Sequence, residues 1–328
     1  MKARRVAGER TMKKLLIALV FAAGLAGCNR SPEYYFGRAN YQFSSGRDSE
    51  AMENYNKALL LKRNFPEALV SRGILFERMG DRQKAGLDYR KAIEMRPGYL
   101  PAYNNLGAML MDGGNYGEAV RLFTQALDAK SDYAYALLNR GLAHYKTGDC
   151  AAATADLSRA LDLNPKFEMA YYHRALCAAK AGNHPAALAD LDAVLGLNPA
   201  ALLARAERAK ALYALGDFAA AAQDFAAVSE LKPAEHLYAY WRALSLYRAG
   251  DLPAALEAAR QSEELKPGRY QVSGLQGDIY AAAGDKELAA AAYKRAAELS
   301  PKYASLYRAR LAALYKPAAR SKARNGRK

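Results

Sequence analysis

The chain has 328 residues, of which 52% are hydrophobic and 25% charged, a balance that excludes a disordered polymer. Its formal charge is +15, yet residues 1–27 carry +5 and residues 316–328 carry +6, so +4 is left for the whole of the body. The charge sits at the two ends, which argues against a nucleic-acid-binding role for the folded part.

Residues 12–28 read MKKLLIALVFAAGLAGC: two lysines, an unbroken apolar run from Leu15 to Ala23, then small residues. The run is short for a membrane span and has the build of a secretory signal. Met12 is a second candidate start, which would make residues 1–11 an extension. Leu25-Ala26-Gly27-Cys28 resembles the bacterial lipobox in all four positions. That resemblance implies removal of residues 1–27 and lipid attachment at Cys28, where two or more acyl chains give a stable anchor. Asn29 follows the cysteine, which by resemblance to the enteric sorting rule implies the outer membrane, with the body on its periplasmic face. Residues 28–31 then form a tether of about 10–14 Å when extended.

From residue 32 a period of 34 takes over. Glycine stands at 46, 80, 114, 148, 182, 216, 250 and 284, and Asp or Asn follows it everywhere except at Arg47. Glycine past one helix end and Asp or Asn at the next helix start predict a tight helix–turn–helix. Proline at 97, 165, 199, 233, 267 and 301 predicts where the second helix stops. Alanine recurs five residues after each glycine, at 51, 85, 119, 153, 187, 221, 255 and 289, where helices must approach closely. One helix pair cannot bury its own apolar face and needs neighbours to stack on. Together these residues resemble the tetratricopeptide repeat, in eight units over residues 32–303 without an insertion. The resemblance implies an all-α, right-handed α-solenoid of eight helix pairs, closed by a capping helix over residues 304–315. Residues 316–328 are basic, follow no apolar period and read as a disordered tail.

Comparison between units predicts an ion pair. The seventh residue is Arg in repeats 2, 4, 5 and 6 (Arg72, Arg140, Arg174, Arg208), and sixteen residues later stand Asp88, Asp156, Asp190 and Asp224. Repeat 3 replaces both with leucine, Leu106 and Leu122. An Arg–Asp pair between the two helices of a repeat follows, structural in role.

The resemblance also implies that the first helix of each pair lines a concave face, through its second, fifth, ninth and twelfth residues. Those positions hold Tyr135, Leu138, Leu142, Tyr145, Met169, Tyr172, Leu176, Tyr213, Tyr240, Leu244 and Tyr247, with Leu203 and Leu237 among them. Tyrosine combines apolar area with a polar tip, which suits partner contact. The alternative is that the repeats pack these rings themselves, or that they line a wet channel. The Lys and Asn order that would clamp a C-terminal carboxylate does not occur.

No Walker loop, GxGxxG, HExxH or GxSxG is present, so no catalytic activity, cofactor or metal is expected. Cys150 and Cys177 are left as free thiols or as a disulfide, a choice the spacing leaves open. The resulting expectation is a membrane-anchored scaffold that binds periplasmic or membrane-associated proteins. It resembles outer-membrane repeat lipoproteins that act as adaptors or as pilus and secretin assembly factors. The alternative is an envelope-polymer binder, in which the basic tail holds peptidoglycan or lipopolysaccharide.

Overall fold

A computed structural model describes residues 30–316. Lipid attachment at Cys28, the signal segment and nearly all of the basic tail lie outside the described residues. Within them the chain is all-α: seventeen α-helices, one 3-10 turn and no strand. It divides into two compact units at residues 147 and 148.

The first unit holds three complete helix pairs and one further helix. The pairs are α1 (Pro32–Ser44) with α2 (Asp48–Leu61), α3 (Pro66–Arg78) with α4 (Arg82–Met95), and α5 (Leu100–Asp112) with α6 (Tyr116–Ala129), followed by α7 (Ala134–Thr147). The second unit opens with α8 (Cys150–Leu163). Four pairs follow: α9 (Glu168–Lys180) with α10 (His184–Leu197), α11 (Leu202–Leu215) with α12 (Phe218–Leu231), α13 (His236–Ala249) with α14 (Leu252–Leu265), and α15 (Tyr270–Ala283) with α16 (Lys286–Leu299). A 3-10 turn, Pro301–Tyr303, leads into α17 (Ala304–Ala313), two residues shorter than the expected capping helix.

The punctuation works as the residue types require. All eight periodic glycines take positive φ, from 73° at Gly46 to 88° at Gly148, Gly216 and Gly250, a conformation that costs other residues about 1 kcal/mol. The next residue caps the second helix. Asp81, Asp149, Asn183, Asp217, Asp251 and Asp285 each accept a hydrogen bond from the backbone N–H three residues on, at 3.0 to 3.3 Å. Arg47 and Asn115 make no side-chain cap. The prolines lie two residues past the helix ends at Met95, Leu163, Leu197, Leu231, Leu265 and Leu299.

Packing within a pair centres on small residues. All eight alanines that follow the glycines by five are 0% exposed, so the helices meet there at backbone distance. In repeats 2, 3 and 8 the eighth residue of the first helix is a glycine that faces a ring of the second. A Cβ added at Gly73, Gly107 or Gly277 would lie 2.5–2.6 Å from the rings of Tyr89, Phe123 or Tyr293.

Candidate partner-binding surface

The expected Arg–Asp pairs of repeats 2, 5 and 6 are formed, and they reach further than one repeat. In the first unit Arg72 places Nε and Nη2 on the two Asp88 oxygens at 2.7 and 2.8 Å. Arg174 grips Asp190 at 2.8 and 2.7 Å, and Arg208 grips Asp224 at 2.7 and 2.8 Å, in the second unit. The remaining donor, Nη1, turns back to the second helix of the preceding repeat. It meets Asn56 from Arg72 at 2.7 Å, Ser158 from Arg174 at 3.0 Å and Asp192 from Arg208 at 2.9 Å. Arg140 makes the same backward bond to Thr124 at 3.1 Å. Arg72, Arg174 and Arg208 therefore each tie a pair together and tie it to its predecessor. The aspartate hydrogen bonds hold the Arg174 and Arg208 guanidiniums above the usual arginine range, against the opposing effect of burial.

The expected groove residues divide by depth. In the first unit Tyr135 on α7 is 55% exposed and its ring lies 6.2 Å from that of Tyr133. Leu138 and Tyr145 are half-buried, while Leu142 is buried at 7% exposure. Leu142 is thus a packing residue: the ninth position of α7 turns into the core instead of lining a surface.

In the second unit the second position of successive first helices is an open apolar row. Met169, Leu203 and Leu237 are 53%, 63% and 52% exposed. Tyr172, Leu176, Tyr213, Tyr240, Leu244 and Tyr247 are half-buried behind them. Tyr213 is engaged by its own neighbours, with ring centroids 5.1 Å from Phe218 and 5.6 Å from Trp241. Trp241 in turn stacks on Phe225 at 5.8 Å. For Tyr213 the alternative reading, a ring packed by the repeats, describes the geometry. Tyr240, Leu244 and Tyr247 pack by one edge on the cluster formed by Ala243, Ala255, Ala258, Ala259, Leu275 and Ile279.

Two cavities open beside this row, and they share a register. One, of about 330 Å³, is lined by Glu168, Met169, Tyr172, Ala201 and Leu203 among others. The other, of about 100 Å³, is lined by His236, Leu237, Tyr240, Arg269, Gln271 and Val272. Every lining position of the smaller cavity recurs two repeats earlier in the larger one, so each cavity has a tyrosine at its fifth position and an exposed apolar side chain at its second. A single sequence position does not reveal such a cavity, because its walls come from adjacent repeats.

A polar centre closes the far end of the second unit. Asp278 on α15 accepts from both Arg310 on α17, at 2.7 Å to Oδ1, and the Tyr293 hydroxyl, at 2.8 Å. Burial, then the bond to Asp278, pushes the Tyr293 hydroxyl above the usual phenol range, since ionisation would set two negative charges together. Burial likewise raises Tyr240 and Tyr247, and the Asp278 charge adds to it.

A third and larger cavity, about 730 Å³, is lined from α8, α9 and α10. Its walls include Cys150, Thr154, Ser158, Arg174, Cys177 and Asp190. Among the described residues no three His, Cys, Asp or Glu side chains are placed to hold a metal ion, and no helix is long and apolar enough to cross a membrane.

Helix pairs of 34 residues, left-handed glycines between them and alanine at every close approach define one family by structure, and sequence comparison decides it. A tetratricopeptide repeat model matches residues 70–134, 105–166, 138–201 and 206–270, and a second matches 32–65 and 270–303. The chain belongs to the tetratricopeptide repeat family. No curated protein sequence matches it significantly. Several solved tetratricopeptide structures share its fold. The pilF protein of Pseudomonas aeruginosa aligns with a TM-score of 0.58 at 19% identity, over 63% of this chain and 94% of pilF. PilW, a type IV pilus biogenesis factor, aligns with a TM-score of 0.55 at 23% identity, over 63% of this chain and 96% of PilW. YrrB, a repeat protein with an unusual peptide-binding site, gives a TM-score of 0.54 at 22% identity, over 56% and 95%. Repeats of this family are generally scaffolds that hold other proteins, and the fold points to protein–protein interaction.

Proposed function

We propose that this tetratricopeptide repeat chain is a lipid-anchored adaptor that holds protein partners at the periplasmic face of a bacterial outer membrane, without catalysis of its own. The observation that carries the binding half of this reading is the open row Met169, Leu203 and Leu237 with its two cavities in one register. Apolar side chains left more than half exposed in consecutive repeats, beside half-buried tyrosines, are what a partner would cover. The anchoring half rests on Leu25-Ala26-Gly27-Cys28. YrrB has a peptide-binding site and PilW serves pilus biogenesis; an adaptor role is of the same kind.

The test is in-cell photocrosslinking from position 203, with the captured protein identified by mass spectrometry. Wild-type chain should capture a defined partner, and Tyr172→Ala with Tyr240→Ala should abolish capture while leaving the helical circular dichroism unchanged. Undiminished capture by the double variant would remove the row as the binding surface. Cys28→Ser should move the chain from the membrane to the soluble fraction; retention on the membrane would remove the lipid anchor. Deleting residues 316–328 separates the envelope-polymer alternative, since cosedimentation with sacculi that depends on those residues would favour it.

A further inference from the structure

The two cysteines of the described chain are brought together by the repeat register. Cys150 is the first residue of α8, the second helix of the fourth repeat, and Cys177 lies in α9, the first helix of the fifth. In repeat terms the seventeenth residue of one unit faces the tenth residue of the next. At two other seams the helices that carry these positions also touch. In the first unit Arg82 Nη2 donates to the Met109 carbonyl at 2.7 Å. In the second unit Leu252 packs on the apolar cluster that contains Ile279. At the seam between repeats four and five both positions are cysteine, and both line the 730 Å³ cavity.

We propose that Cys150 and Cys177 form a disulfide that staples the fourth repeat to the fifth. Cys150 is partly exposed at the cavity wall, whereas Cys177 is 2% exposed, so Cys150 is the thiol an oxidant reaches first. The oxidant is a second disulfide, of low-molecular-weight or protein origin. The Cys150 thiolate attacks one of its sulfurs, that S–S bond breaks, and the other sulfur leaves with the proton Cys150 gave up. Cys177 then loses its proton and attacks Cys150 Sγ in the mixed disulfide, expelling the second thiol. Two electrons pass to the oxidant, which ends as two thiols. Burial first, and then the adjacent Cys150 thiol, push Cys177 up to about 12. A neutral, buried resolving thiol matches the order of attack. The proposal concerns the repeats alone and does not depend on the adaptor reading.

The experiment uses the full chain equilibrated in glutathione redox buffers, then alkylated and digested without reduction. The expected product joins the peptide holding Cys150 to that holding Cys177, about 2 Da lighter than the two thiol peptides together. Its formation should reverse with dithiothreitol and survive Cys28→Ser. The oxidised chain should melt several degrees above the reduced one, a difference that vanishes in Cys150→Ser. Cys177→Ala provides a second variant, because buried alanine already occupies that position in the fourth and sixth repeats, at Ala143 and Ala211. A glutathione adduct persisting on Cys150, a link from either cysteine to Cys28, or full alkylation of both thiols in oxidising buffer would each overturn the staple.

Discussion

A guanidinium has more donors than one carboxylate can accept, and this chain uses the surplus. Arg174 gives two donors to Asp190 and the third to Ser158 of the preceding repeat. The forward pair was legible because its two residues recur sixteen apart within a repeat. The backward bond was not, because its acceptor changes identity from Asn56 to Thr124, Ser158 and Asp192, all hydrogen-bonding side chains with no common letter. The Asp190 side chain is 11% exposed and that of Arg174 25%, so truncating one partner strands a partly desolvated charge. Asp190→Ala should therefore cost about 1–2 kcal/mol, less than the roughly 3–5 kcal/mol of a fully buried pair because Arg174 keeps some solvent. Arg174→Leu with Asp190→Leu should cost less than that single change, since repeat 3 buries Leu106 and Leu122 at the same two positions. Urea denaturation of the three variants checks the order, and a double variant less stable than Asp190→Ala would contradict it.

At the level of the helix, the repeat is defined by which small residue meets which large one. The eighth residue is glycine in repeats 2, 3, 4 and 8, and in repeats 2, 3 and 8 it faces a buried ring, Tyr89, Phe123 or Tyr293. The period of 34 made helix boundaries, turns and the alanine seam readable, because each rests on a local requirement that recurs eight times. Depth on the first helix was less readable. Leu142 and Leu176 occupy the same repeat position, yet Leu142 is buried and Leu176 only half so, since burial depends on the neighbouring repeat's side chains. Tyr213 was legible as an aromatic but not as one enclosed by Phe218 and Trp241. The steric argument at the glycine gives a direct test. Phe123 is 0% exposed and cannot swing away from a Cβ placed 2.6 Å from its ring. Gly107→Ala should destabilise the chain by about 1–3 kcal/mol despite alanine's better helix propensity. Gly117→Ala, in the next helix with no atom within 4 Å of the added Cβ, should be neutral or slightly stabilising. Thermal melts of the two variants that fail to separate would show that the helix pair yields at this contact.

For the molecule as a whole, stability in stacked repeats is a sum of units and seams, so the last seam decides how the end behaves. Helix α17 covers the eighth repeat through Tyr307, which packs with Tyr293 at 6.4 Å between ring centroids, and through Arg310 on Asp278. Without α17, Asp278 would keep only the Tyr293 hydroxyl, and the buried face of Tyr293 would meet water. Tyr293 also fills the space beside Gly277, so its loosening reaches the helix pair itself. Ending the chain at residue 303 should therefore weaken the eighth repeat first and leave the first unit unchanged. Hydrogen exchange is the suitable measurement, because it resolves local opening that a single melting temperature would average. Faster exchange is expected in α15 and α16 of the shortened chain, with α1 to α6 exchanging as before. Arg310→Ala should give a milder form of the same pattern, confined to α15, α16 and α17. Uniform acceleration along the chain would instead mean that the repeats unfold as one cooperative body, and nearest-neighbour seams would then not be the unit of its stability.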